Sequence, residues 1–171
     1  MRCPLEATMA HLVERQPLMV SFNGIGFDFS LMRGLLRQEV DDPASHPTML
    51  GPDFVDWQER TIALCDQFKL LAAQSYDILA EIWRVDSENK YVKGLNSLDA
   101  ICQANGLGKK TGDGAQAPRD WAAGKIAKVL NDCSNDVLLT KRLFELVLTN
   151  DGTIQRSNGP ITILMPPGET F

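Results

Sequence analysis

Apolar residues recur along this chain with two different periods, and each change of period marks an element. Leu5, Met9, Leu12 and Val13 fall on one side of a helix from Leu5 to Arg15, three to four residues apart as an amphipathic helix requires. Pro17 stops that pattern. Leu18-Met19-Val20-Ser21-Phe22 is too short and too apolar for a surface helix and reads as a buried, parallel-type strand. Asn23-Gly24-Ile25-Gly26 breaks the run, after which Phe29, Leu31, Met32, Leu35 and Leu36 restore helical spacing to Gln38. Asp28 stands in the first turn of that helix, where the helix dipole favours a carboxylate.

Residues 41–56, DDPASHPTMLGPDFVD, hold three prolines and little periodicity, so the pattern predicts an excursion loop. Helical spacing returns from Trp57 to Ala73 through Ile62, Leu64, Cys65, Phe68, Leu70 and Leu71. Ser75 to Leu79 predicts a strand end or turn that leads into a short helix through Trp83, and Val85 to Tyr91 is a polar loop. Ser97 is placed to cap a helix of Leu98, Ile101 and Cys102 that ends near Asn105-Gly106. Residues 106–118, GLGKKTGDGAQAP, carry four glycines and two lysines without apolar periodicity, which is a loop. A long helix follows from Lys125 to Asn150, and the tail TIQR-SNGP-ITILM predicts a β-hairpin with a Ser-Asn-Gly-Pro turn.

Composition narrows the classes. A chain of 171 residues is expected to form one domain with a sizeable core, and 44% hydrophobic with 23% charged residues is ordinary for a globular protein. Its formal charge of −5, from 17 basic and 22 acidic residues, argues against binding by broad phosphate neutralisation. A grip on one strand end is compatible with it, because local fields decide that. Cys3, Cys65, Cys102 and Cys133 form no C-x-x-C pair, so neither a zinc site nor a disulfide framework is suggested and a reducing compartment fits. No apolar run approaches the ~20 residues of a membrane span, and the first residues lack a secretory apolar region. A cytoplasmic location without membrane contact is expected.

Several side chains can carry chemistry. Asp132 and Asp136 stand four residues apart on the long helix, with Thr140 four further on, so all three share a face. Two acids at that spacing with no basic residue between them repel, which is one way to prepare a cation site; a solvated polar stripe is the ordinary alternative. Lys109, Lys110 and Thr111, flanked by glycines, can meet phosphate through ammonium and amide groups, or can simply be solvated. Trp57 and Trp83 read as core or wall, whereas Trp121, just past the loop, is a candidate for stacking on a terminal base. Asp77 reads as a helix cap rather than a ligand, and His11 and His46 stand alone without a role.

Two of these segments resemble known motifs. SFNGIGFDFSLM is similar to the second exonuclease motif of the DEDD superfamily of 3′–5′ exonucleases, in which an Asn closes a strand and a Phe-Asp pair opens a helix. NDCSNDVLLTKRLFEL resembles the third motif, a Tyr-Cys-x-x-Asp-Val core followed by Thr and Leu. YDIL and SLDAICQANGLGKKTGDGAQAP resemble the connecting region of a ribonuclease H-like branch found beside helicases and in phage and plasmid genes. The resemblance spans roughly residues 8–165 and implies a helix-rich, ribonuclease H-like α/β fold with an incomplete central sheet and a C-terminal hairpin.

It also implies hydrolysis of phosphodiester bonds at single-stranded DNA or RNA 3′ ends by two divalent ions, Mg²⁺ or Mn²⁺. Carried over by position, Asp28 and Asp136 become metal ligands and catalytic residues, and Asn23 orients the strand end or touches substrate. Lys109, Lys110 and Trp121 join Asn23 as substrate-binding candidates. Asp132 occupies the place of the family's water-positioning tyrosine and is a third catalytic candidate, while Asn131 fills the place of its histidine variant.

The first motif, an Asp-x-Glu pair, is not matched: upstream of Asn23 the acids are Glu6 and Glu14, in a helical segment. The sole Asp-x-Glu, Asp86-Ser87-Glu88, lies in a polar loop that supports metal ligands poorly. On this reading residues 1–171 form one ribonuclease H-like exonuclease domain that starts partway through the family domain. The strand from Leu18 would then lack its neighbour, and a second copy, a partner or the hairpin should cover its edge. The rival expectation is a non-catalytic ribonuclease H-like module that binds nucleic acid or a protein partner.

Overall fold

The computed structural model describes residues 4–41 and 51–166. Contacts divide the chain into two compact units, Met1–Asp77 and Ile78–Phe171, and both are predominantly helical with small sheets. Cys3, His46 and residues 42–50 of the expected excursion loop lie outside the described residues.

In the first unit α1 (Pro4–Arg15) leads to β1 (Val20–Ser21), a π-helical turn (Gly24–Asp28), α2 (Phe29–Asp41), α3 (Pro52–Ala73) and β2 (Tyr76–Asp77). β1 and β2 pair in parallel, Val20 opposite Tyr76 and Ser21 opposite Asp77. The backbone N–H of Tyr76 extends the pairing by donating to the carbonyl of Met19 at 2.8 Å. The strand is therefore parallel, as its apolar character predicts, but shorter than Leu18–Phe22. Its partner is only two residues long, and Asn23 turns the chain away in the left-handed region at φ 69°.

The core of this unit is Met9, Leu36, Cys65 and Phe68, one or two from each helix, with Leu5, Leu12, Val13, Met19, Phe29, Met32 and Leu64 packed around them. α3 starts five residues before the predicted Trp57. Pro52 in its first turn is a helix-start residue there, since its fixed φ suits the helix and its missing N–H is not needed. The expected loop is thus helical from Pro52 to Asp56.

The second unit holds α4 (Ile78–Val85), α5 (Leu98–Ala104), α6 (Ala117–Ala122), α7 (Ile126–Thr149), β3 (Thr153–Arg156) and β4 (Gly159–Thr162). Ser97 caps α5 as expected, its hydroxyl accepting from the Ala100 N–H at 3.2 Å. The hairpin pairs Thr153 with Thr162 through Arg156 with Gly159, so its loop is Ser157-Asn158 alone. Gly159 and Pro160 belong to the strand rather than the turn, and the hairpin makes a sheet of its own instead of extending β1–β2.

Buried Ile154, Ile161 and Ile163 line the inner side of the hairpin, and the elements α5, α7 and β3 pack on one another. Asn105 fastens the hairpin to the end of α5: its amide exchanges hydrogen bonds of 2.9 Å with the backbone N–H and C=O of Gln155. Asp86, half of the lone Asp-x-Glu, is a structural acid. It pairs with Arg156 at 2.8 Å and accepts from Asn89, and the arginine hydrogen bond holds its carboxyl below the usual range. Trp57 is buried and Trp83 lies under the Lys90 ammonium, 4.6 Å from its ring centre. Among the described residues no helix is long and apolar enough to cross a membrane.

Candidate functional site

In the first unit the two predicted residues Asn23 and Asp28 bracket the π-helical turn. Two bonds close it: the Phe27 N–H donates to the Asn23 carbonyl at 3.0 Å, and the Phe29 N–H donates to the Gly24 carbonyl five residues back. Gly24 has to be glycine, because a Cβ there would stand 2.5 Å from the Ser21 Cβ. Asn23 tolerates its left-handed backbone better than most residues, since its short polar side chain bonds locally.

What anchors the turn is Asp77, which the sequence pattern predicts to be a helix cap. Its side chain caps backbone N–H groups across the sheet. One carboxylate oxygen accepts from the Asn23 N–H at 3.0 Å. The other accepts from the Ile25 N–H at 3.0 Å and the Ser21 hydroxyl at 3.1 Å. Asp77 is only 3% exposed, so these bonds stand in for the water it has lost. The result is a fixed platform that ends at Asp28, whose side chain is exposed. The strong sequence signal was the glycine turn; the acid that holds it lies 54 residues from Asn23 and carries no local pattern.

In the second unit Asp132 and Asp136 share one face of α7, as their spacing predicts, but the expected unrelieved repulsion is absent. The Asp136 carboxylate pairs with the Lys110 ammonium at 2.6 Å. Asp132 pairs with Lys128 at 2.9 Å and accepts from the Thr111 hydroxyl at 2.8 Å. Hydrogen bonds from Lys128 and then Thr111 hold the Asp132 carboxyl below its ordinary value, which suits an anchor better than a base. The basic partners come from the glycine-lysine loop and from four residues earlier in the helix, not from between the acids.

The other candidates are distributed over the same unit. Lys109 is exposed and its carbonyl accepts from the Asn135 amide at 3.2 Å, whereas Lys110 is committed to Asp136. Trp121 is 54% exposed on α6, as a stacking surface requires. Beside it Asp120 is only 4% exposed and pairs with both Lys125, at 3.1 Å, and Lys128, at 2.9 Å. Lys128 therefore bridges Asp120 to Asp132 and ties α6 to the acidic face of α7. Sequence reasoning passed over Asp120, although an acid five and eight residues before two lysines at a helix start was a usable signal.

The hydrogen bonds from Lys128 and Lys125 lower the Asp120 carboxyl to about 2. A depressed carboxyl contributes stability above its unfolded value, near ~3.9, that is lost as pH falls through the folded value. Urea midpoints followed by circular dichroism should therefore drop between about pH 4 and pH 2. Asp120→Asn should flatten that segment of the profile; an unchanged slope would remove the bridge from the acid response.

Among the described residues no group of three or more His, Cys, Asp and Glu side chains is placed to hold a metal ion. Asp136 meets one requirement of a cation ligand nonetheless. Its Oδ1 is buried without a hydrogen-bond partner while its other oxygen already holds a positive charge.

No protein of curated function and no solved structure matches the chain. One family model does, over residues 5–158, and that span contains the anchored turn, the glycine-lysine loop and the acidic face of α7. With a match over most of its length, the chain belongs to the family described as predicted 3′–5′ exonucleases related to the exonuclease domain of PolB.

Proposed function

We propose that the chain is a ribonuclease H-like 3′–5′ exonuclease domain of the DEDD type, acting on single-stranded DNA or RNA ends, with Asp28 and Asp136 as metal carboxylates. The observation that carries this reading is the turn: a buried acid, Asp77, is spent on fixing three groups so that exposed Asp28 is presented at a helix start. A metal ligand has to be held on a pre-organised, supported frame, and this turn supplies one. A Mg²⁺ or Mn²⁺ ion, when bound, would polarise the scissile phosphate and lower the pKa of a water. The chain's own part is to hold the carboxylates, to offer Lys109 to phosphate oxygens, and to offer Trp121 to a base.

A second reading is a ribonuclease H-like module that binds nucleic acid without cleaving it. Neutralisation of Asp136 by Lys110 favours it, since an ion-paired carboxylate is a weaker metal ligand.

Incubation of a 5′-labelled single-stranded oligonucleotide with the protein and Mn²⁺ decides between the two. A ladder shortening from the 3′ end is expected, with a rate loss of about 10³-fold or more in Asp28→Ala and in Asp136→Ala, the scale of a lost charge-stabilising group. An intact oligonucleotide that is still bound would select the module. Unchanged cleavage in Asp28→Ala would remove that residue from the site.

A further inference from the structure

Between α2 and α3 the first unit has an open groove of about 340 Å³. Arg33 and Arg37, on one face of α2, and Lys69 on α3 line it. Asp66 lines the same groove, so three cations meet one acid there in a chain whose formal charge is −5. Among the described residues none of these cations is in an ion pair, whereas Arg60, elsewhere on α3, is held by Asp56 at 3.0 Å. Both arginines are half-buried, and burial pushes the buried Cys65 thiol beside them up while Arg37 and Arg33 draw it down. Their two charges therefore act on one spot. Gly34 also lines the groove, in the interior of α2, where glycine is a poor helix former. A Cβ there would meet nothing within 4 Å, so no contact of the fold asks for glycine, and its missing side chain leaves the groove open. An apolar stretch lined by Ile25 and Phe29 shares Arg33 and Lys69 with the basic one and reaches the anchored turn.

We propose that this groove binds the backbone of a single nucleic-acid strand, with Arg33, Arg37 and Lys69 on its phosphates and the apolar stretch beside a base. The inference rests on the reading of the chain as one that takes single-stranded ends, and holds for the cleaving and the non-cleaving form alike. A guanidinium presents a fork of donors that matches two phosphate oxygens. A basic groove with an apolar wall holds a strand without reading its sequence. The cluster supplies the local field that a chain of net negative charge needs to attract a polyanion. The apolar stretch ends at Ile25, whose N–H is fixed by Asp77 at 3.0 Å, so the strand's path meets a rigid wall at the turn that carries Asp28.

Fluorescence anisotropy of a labelled single-stranded oligonucleotide tests it on the whole chain, in EDTA so that nothing is cleaved, over a series of salt concentrations. Each phosphate contact contributes about 0.7 to the slope of log affinity against log salt. Arg33→Gln combined with Arg37→Gln should lower that slope by about 1.4 and weaken binding about fifteenfold near ~0.15 M salt. Lysine at both positions keeps the charges and should restore most of the slope. Gly34→Glu, which keeps both arginines and sets a carboxylate in the groove, should weaken binding too. Arg60→Gln removes a cation outside the groove and should leave the slope unchanged. An unchanged slope in the double glutamine variant, with wild-type binding intact, would overturn the groove while leaving a nucleic-acid ligand elsewhere on the chain. Absence of wild-type binding in EDTA would overturn the groove as well, and the Mn²⁺ cleavage assay judges the proposed function separately. Displacement by poly-glutamate as strong as by unlabelled oligonucleotide would overturn the strand in favour of an acidic peptide. Matching circular dichroism spectra of the variants would show that each comparison is made on folded protein.

Discussion

Asp77→Ala should cost the first unit about 3 kcal/mol, more than a typical substitution. The change removes the acceptor for the N–H groups of Asn23 and Ile25 and for the Ser21 hydroxyl in one step. Two of those donors belong to the backbone and cannot rotate elsewhere, so both lose their carboxylate acceptor at once. Ser21 and Asp77 also face each other in the β1–β2 register, so the loss falls on the only pairing of that sheet. Asp77→Asn retains one carbonyl acceptor and should cost less. Denaturant unfolding measures both, and amide exchange at Asn23 and Ile25 reports the local opening. A loss below about 1 kcal/mol for the alanine variant would show that these bonds do not anchor the turn.

Phe68→Ala should cost about 3–5 kcal/mol, the range for truncating a buried aromatic side chain. Phe68 is fully buried in the cluster formed with Met9, Leu36 and Cys65. Its ring also meets Phe29 edge-on, with centres 6.1 Å apart and planes at 84°. Phe29 is the residue after Asp28 and opens α2, so the substitution would remove a packing partner from the start of that helix. Phe68→Leu keeps most of the volume and should lose far less. If the two variants proved equally stable, packing behind Phe29 would not be what holds the start of α2. The two substitutions attack one platform through different forces: Asp77 fixes the turn by hydrogen bonds and Phe68 fixes the helix by packing.

The same contrast separates the two acids proposed as metal carboxylates, each within its own unit. Asp28 is delivered by a rigid local frame and remains exposed, while Asp136 is delivered by a long helix and arrives already paired with Lys110. The repulsion that spacing alone predicts between Asp132 and Asp136 is offset by that pairing. Asp136→Ala removes an attraction to Lys110 instead.

The sequence by itself determined the elements whose signals are local. The apolar periodicity of α1, α2 and α7, the Ser97 cap and the glycine break after Phe22 each depend on residues within a turn or two of one another, and each is present. Local motifs of that kind also sufficed to point to the exonuclease family that the matched region shows. What only the tertiary structure decided is the set of partners of each polar group. Asp77 serves Asn23 from 54 residues away, Lys110 reaches Asp136, and Arg156 reaches Asp86. Charged side chains become what their neighbours make them, because the free energy of a carboxylate in a dry site depends on its donors and on nothing in its own codon. Helical and strand periods repeat and so can be read along a line; ion pairs and caps across a fold occur once each and have no period to betray them.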